Sequence, residues 1–249
     1  VSDGYVRMLS SRYRWLDPAR FTVIPFGAAK HDFDFVDARG ISQPIFKPGA
    51  GVIRWVYAGR GGPDMDPVVE AFFEQLARLK TVDPDFVARL RVHFVGTNYS
   101  PLPRSFKVVE PLAAQYGVAD LIEEYPGRIP YHQTLALYNE SDAVLLFGSS
   151  LAEYTPSKLF NCVMSKRPVL ALLRGGSPGD AVIRGFRNAF VASFRLSPSE
   201  PEFAASIAEG LRWLREPNHE MPAVDDQISS WTAKELTRAQ CSVFDGLYK

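Results

Sequence analysis

Two stretches of the sequence carry residue types and spacings that suit an anionic ligand. The first is Gly59-Arg60-Gly61-Gly62, directly after the apolar run Val52–Ala58. Glycines after a strand let backbone approach a ligand, and an arginine adds a planar cation whose donors match a diphosphate. The same four residues would also serve as a tight turn with a surface arginine. The second stretch follows the apolar run Ala143–Phe147 and Gly148-Ser149-Ser150, and reads Glu153-Tyr154-Thr155-Pro156-Ser157-Lys158-Leu159-Phe160-Asn161-Cys162. It predicts a loop feeding a helix over Pro156–Lys166, with Thr155 as N-cap and Pro156 as the first helical residue. The start of such a helix offers backbone N–H groups and the positive end of a dipole, both favourable to phosphate. Ser157 and Asn161 are four apart and share a face with Lys158 beside them, while Leu159, Cys162 and Val163 turn toward the sheet.

Other chemistry is weakly signalled. Asp32-Phe33-Asp34 and Asp64-Met65-Asp66 fit a metal-binding D-x-D pattern, but so short a pattern arises easily by chance. Asp64 and Asp66 read as caps of the following helix. His31, His93, His132 and His219 are scattered without ligand spacing, and no metal site is expected. Cys162 falls in an apolar helix stripe and reads as core.

The elements that would position these loops alternate regularly. Strands are predicted at Val52–Ala58, Arg91–Val95, Leu121–Tyr125, Ala143–Phe147, Val169–Leu173 and Ala189–Ser193. Helices are predicted at Pro67–Lys80, Pro84–Leu90, Val108–Tyr116, Tyr131–Glu140, Pro156–Lys166, Pro178–Gly185, Pro201–Arg215 and Gln227–Leu247. This alternation predicts an α/β fold, a Rossmann-like parallel sheet with helices on both faces. Ligands of such sheets sit outside the C-terminal strand ends, which gathers the loops after Ala58, Val95, Tyr125 and Phe147 around one crevice. Ahead of this unit, Val1–Leu16 predicts a helix ended by Asp17-Pro18, and Phe21–Ile24 a short strand stopped by Pro25 and Gly27. Residues 28–50, with Pro44, Pro48, Gly49 and Gly51 close behind, read as an interdomain linker.

Composition narrows the classes of partner. The 249 residues carry 28 basic and 28 acidic side chains, so no electrostatic case exists for nucleic acid. Two cysteines, Cys162 and Cys241, stand far apart without a C-x-x-C pattern, which favours a reducing compartment. No apolar run reaches the length of a membrane span and no signal peptide is visible, so the expectation is a cytoplasmic protein, with a peripheral membrane contact left open. The chain starts at Val1 and reads as a fragment.

The second stretch resembles the nucleotide-sugar-binding segment of the GT-B glycosyltransferases, in the large retaining group (glycosyl transferases group 1) whose motif is Glu, seven residues, Glu. Glu153 stands at the first acid position, and Pro156-Ser157-Lys158-Leu159-Phe160 and Pro168-Val169 follow the pattern, but the second acid position holds Asn161. Family members carry Gly-Arg after the first strand and a lysine five residues later; here Gly59-Arg60 matches and Met65 takes the lysine position. Gly127-Arg128-Ile129-Pro130-Tyr131 resembles the family loop Gly-x-Val-Pro-Tyr, Gly96 closes the second strand similarly, and Val23-Ile24-Pro25-Phe26-Gly27 resembles the end of the family's N-terminal domain.

The resemblance implies that residues 1–50 end an acceptor-binding N-terminal domain and linker. Residues 51–249 would form the donor-binding domain, with a return helix at its C-terminus. It implies a nucleoside diphosphate sugar as donor, with no metal or other cofactor, and an acceptor hydroxyl. Glu153 would touch donor-sugar hydroxyls, Asn161 the ribose, and Ile129 the nucleobase. Gly59, Arg60 and the backbone from Tyr154 through Thr155 and Pro156 to Ser157 would hold the diphosphate, and Gly96 would be a binding residue of the same standing as the Ile129 loop. Catalysis would be mostly stabilisation of the departing diphosphate by Arg60 and the helix start. With the acceptor domain missing, the isolated chain is expected to bind nucleotide but transfer sugar poorly. Met65 and Asn161 also fit a second reading, a degenerate GT-B domain that binds or scaffolds without catalysis. A sugar-nucleotide epimerase of the same fold is a third, weaker reading, since suitably placed acids and histidines are absent.

Overall fold

A computed structural model describes residues 2–47, 49, 51–99, 105–216 and 225–247. Six strands form one sheet: β1 (Ile53–Ala58), β2 (Leu90–Val95), β3 (Ile122–Tyr125), β4 (Ala143–Phe147), β5 (Val169–Arg174) and β6 (Ala189–Phe194). Their order is β3-β2-β1-β4-β5-β6, and every pairing is parallel. The helices are α1 (Asp3–Arg12), α2 (Lys30–Arg39), α3 (Asp66–Val82), α4 (Pro84–Arg89), α5 (Val109–Gln115), α6 (Tyr131–Asn139), α7 (Leu159–Met164), α8 (Pro178–Ile183), α9 (Pro201–Trp213), α10 (Asp225–Ile228) and α11 (Ala233–Gly246). All six strands fall within a residue of their predicted bounds. β-branched and aromatic runs buried on both faces leave little ambiguity of type.

Strand residues alternate between two cores. Trp55, Tyr57, Phe94 and Phe147 face α3 and α9, where Phe72, Phe73, Phe203 and Ile207 are fully buried. The rings of Tyr57, Phe94 and Phe147 lie 5.1–5.7 Å apart, within the range of offset and edge-on aromatic contact. On the other face, Val56, Val144, Leu146 and Ala171 pack against Leu135 of α6 and Leu159, Cys162 and Val163 of α7. The strand order reverses between β1 and β4, so the crevice of interest opens at their C-terminal ends.

Four sequence expectations change. The helix expected over 1–16 is shorter: α1 ends at Arg12, and Pro18–Arg20 form a separate 3-10 turn capped by the Asp17 carboxylate. Phe21–Ile24 lie in no strand, although Phe21 is extended; Val23 instead lines a cavity with Phe160 of α7 and Pro178 of α8. Residues 28–50, expected to lack regular structure, contain α2. Its Phe33 and Val36 are buried in the second core, and Gly40 closes it in a left-handed conformation (φ 60°). Beyond it, the Gln43 side chain bonds the Phe46 carbonyl and Glu140, and the Tyr125 hydroxyl bonds the Ile45 carbonyl, so this stretch is fastened to the sheet. The single C-terminal helix expected over 227–247 is broken: α10 passes into a 3-10 turn at Ser229–Trp231, and α11 starts afresh on Thr232, whose hydroxyl accepts from the Glu235 N–H. Thr232 also bridges to Ala28, returning the C-terminal segment to the start of α2.

Among the described residues no helix is long and apolar enough to cross a membrane.

Candidate functional site

The loop after β1 turns where the Gly59 N–H bonds the Val95 carbonyl and the Gly61 N–H bonds the Thr97 carbonyl. β2 is followed by Gly96 at φ 76°, a conformation that favours glycine. These two turns and the entry to α6 enclose a cavity of about 280 Å³, lined by Gly59, Arg60, Gly96, Ile129, Tyr131 and Thr134 among others. Four residues singled out by the sequence, Gly59, Arg60, Gly96 and Ile129, therefore share one wall. Asn161 of α7 does not line this cavity; it is half-buried and lies near the Tyr131 hydroxyl at the rim. That hydroxyl also donates to Asp32 of α2, and burial first, then Asp32, pushes its pKa up to about 12.

Arg60 is not a free cation. Its guanidinium grips the Asp64 carboxylate in two parallel bonds of 2.7 and 2.6 Å, a fork-to-fork geometry. This corrects the helix-cap reading of Asp64: the N-cap of α3 is Met65, whose side chain makes no cap bond, and Asp66 is the first helical residue. The Arg60 hydrogen bond is the chief reason that Asp64 is held down to about 2, and it raises the arginine in turn. Asp64 also accepts from the Ser149 hydroxyl at 2.7 Å, and its carbonyl accepts from the Ser150 N–H, tying the loops after β1 and β4 together. Arg60 lies 5.3 Å from the Tyr154 ring centre, which brings Tyr154 to the same loop junction.

The stretch from Glu153 to Ser157 departs from expectation. α7 begins at Leu159 and has only six residues; Lys158 stands at its N-cap, and Pro156–Lys158 form a turn closed by the Leu159 N–H on the Pro156 carbonyl. The helix start near Pro156 is thus displaced, and the Thr155 hydroxyl is buried without a hydrogen-bond partner rather than capping. Neighbours hold the turn in place. A β-carbon at Gly179 of α8 would stand 3.0 Å from Pro156, and one at Gly4 of α1 would stand 3.2 Å from the Glu153 Cα. Thr155 and Pro156 consequently line a second, more apolar cavity of about 400 Å³ with Val23, Phe26, Phe160 and Trp231. Glu153 lines neither cavity, and Ser157 is exposed.

Lys158, which the sequence places beside Ser157 and Asn161, reaches the loop after β1. Its ammonium sits 3.8 Å from the Tyr57 ring centre and against Gly59. Burial lowers its pKa to about 7; the Cys162 thiol acts in the opposite sense and the Arg60 charge adds to the lowering. Met65, at the position where a lysine was expected, is 1% exposed and packs its sulfur 3.8 Å from the Tyr57 hydroxyl. Among the described residues no three His, Cys, Asp or Glu side chains converge on a common point.

No protein-family model matches the sequence, and no curated protein matches it. By structure the chain is similar to a glycosyltransferase from Rickettsia africae (TM-score 0.67, 16% identity), covering all of this chain and 62% of that one. It is also similar to a UDP-forming α,α-trehalose-phosphate synthase from Burkholderia xenovorans (TM-score 0.60, 15% identity, 91% of this chain and 52% of that one). A third is WaaG, a glycosyltransferase involved in lipopolysaccharide biosynthesis (TM-score 0.54, 17% identity, 94% and 62%). At such identities the likeness is one of fold: the chain has the fold of the GT-B glycosyltransferases, with a Rossmann-like parallel sheet. It spans only about half to three-fifths of these proteins' length.

Proposed function

We propose that this chain is the donor-binding part of a glycosyltransferase that moves a sugar from a nucleoside diphosphate sugar to an acceptor hydroxyl. The observation that carries the reading is the convergence of Gly59, Arg60, Gly96 and Ile129 on one cavity at the switch point of the sheet.

In this reading Ile129 flanks the base, and Asn161, able to accept one hydroxyl and donate to another, meets the ribose. The diphosphate lies along Gly59 and Gly96, where absent side chains let backbone approach. Arg60 turns from Asp64 to the diphosphate and stabilises the negative charge that grows on it as the glycosidic bond breaks. Glu153 belongs to the sugar end, and the acceptor and its activating groups belong to a second domain. Titration calorimetry with UDP, GDP and ADP tests the reading. One of them is expected to bind at one site, while donor turnover by the chain alone stays far below that of a complete enzyme. Failure of all three to bind at millimolar concentration would overturn it.

A further inference from the structure

We propose that the cavity between α1, α7 and α8 is a binding site for a small neutral aromatic alcohol. The site is separate from the crevice and independent of the nucleotide-sugar reading.

The cavity, of about 400 Å³, is walled mainly by apolar side chains. Val23 and Phe26 come from the segment before α2, Phe160 from α7, Val182 from α8, and Trp231 from the turn between α10 and α11. The rings of Phe160 and Trp231 stack with centres 5.3 Å apart and planes 27° from parallel. Flat ring faces of this kind suit an aromatic guest. No residue lines both this cavity and the one beside Gly59 and Gly96.

Two hydroxyl groups interrupt the apolar wall. Ser2 is 3% exposed and Thr155 is half-buried; both line the cavity, and the hydroxyl of each is buried without a hydrogen-bond partner. Ser2 stands at the N-cap of α1, yet its side chain caps nothing. Thr155 precedes the turn that closes on the Pro156 carbonyl, and its hydroxyl takes no part in that turn. Hydroxyls shut away from water in this way are rare in folded chains, because each has lost its hydrogen bonds without replacement. Here two of them, brought from distant parts of the sequence, border one space. A guest O–H can donate to one and accept from the other.

Charge decides which guest. Asp3 is the single ionisable side chain among the described residues lining the cavity, and no Lys, Arg or His joins it. A carboxylate or phosphate would enter an apolar space without a counter-charge. A neutral ring carrying one hydroxyl meets both the aromatic wall and the two unpaired groups.

The test titrates the intact chain with 2-phenylethanol, ethylbenzene and phenylacetate, following the Trp231 indole N–H resonance by NMR. The alcohol is expected to bind at one site with a Kd of about 1 mM or tighter, and about fivefold or more tighter than either analogue. Ala181→Phe, which adds a ring at an exposed α8 residue lining the cavity, is expected to weaken the alcohol about tenfold or more. Thr155→Val keeps the side-chain shape and removes the hydroxyl. It should weaken the alcohol about fivefold, leave ethylbenzene unchanged and not lower Tm, since that hydroxyl bonds nothing in the free chain. Absence of a shift at about 10 mM 2-phenylethanol would overturn the inference. So would ethylbenzene or phenylacetate binding as tightly as the alcohol, or a folded Thr155→Val with unchanged alcohol affinity. If Ala181→Phe does not fold, the three ligands and Thr155→Val decide.

Discussion

The two flanks of the crevice handle a carboxylate differently. On the β3 flank, Glu124 is 4% exposed and accepts from the N–H groups of Val108, Val109 and Glu110 at 2.8–3.0 Å and from the Thr97 hydroxyl. It thereby closes the start of α5 and fixes the loop after β2. On the β1–β4 flank, Asp64 is bound to a cation that lines the cavity, a buried Thr155 hydroxyl lacks a partner, and Lys158 has lost water without meeting a carboxylate. The first flank is saturated by its own chain and acts as scaffold. The second keeps its charges in a pairing that an incoming anion can replace, as a binding site requires.

The sharpest break of this contrast is Glu124→Ala, which removes one acceptor and strands four donors. It is expected to lower the free energy of unfolding by about 3 kcal/mol in urea denaturation, while the folded fraction keeps its diphosphate affinity. Asp64→Asn should do the reverse. Freed from its carboxylate, Arg60 becomes available, and diphosphate affinity is expected to rise about fivefold by calorimetry. Acid sharpens this result. Asp64 is held near 2, below its ordinary 3.8, so its pairing stabilises the protein above the ordinary value and is lost as pH falls through about 2. The stability gap between wild type and Asp64→Asn should therefore be constant above about pH 5 and close progressively in acid. The smallest effect falls outside both flanks. Lys166, exposed at φ 58°, holds a left-handed turn before β5, and Lys166→Gly is expected to stabilise by about 0.5–1 kcal/mol in thermal unfolding without altering nucleotide binding.

What the sequence made legible follows from how local each signal is. The strands were readable because runs such as Ala143–Phe147 are apolar throughout, and the sheet buries both their faces. Gly59, Arg60, Gly96 and Ile129 were readable because each sits at a strand end or a helix entry whose place the topology fixes. The Arg60–Asp64 bond was not, since an acid before a helix is equally well read as a cap, and only the folded loop decides. The late start of α7 was hidden for the same reason: Pro156 permits a first helical turn there, but packing against Gly179 and the passage of α1 beside Glu153 hold an irregular turn. α2 was missed because two inward residues, Phe33 and Val36, set among polar neighbours leave little periodicity. Phe21–Ile24 misled in the opposite sense: strand-forming residue types that pair with no strand, Val23 lining a cavity beside α7 and α8 instead.

The central claim is that Arg60 meets a diphosphate in the cavity beside Gly59 and Gly96. Calorimetric titration of UDP, GDP and ADP into the wild type and Arg60→Ala tests it most directly. The account predicts one-site binding of at least one diphosphate by the wild type, weakened about 30–100-fold in the folded variant. Equal affinity of the two proteins for that diphosphate would contradict it.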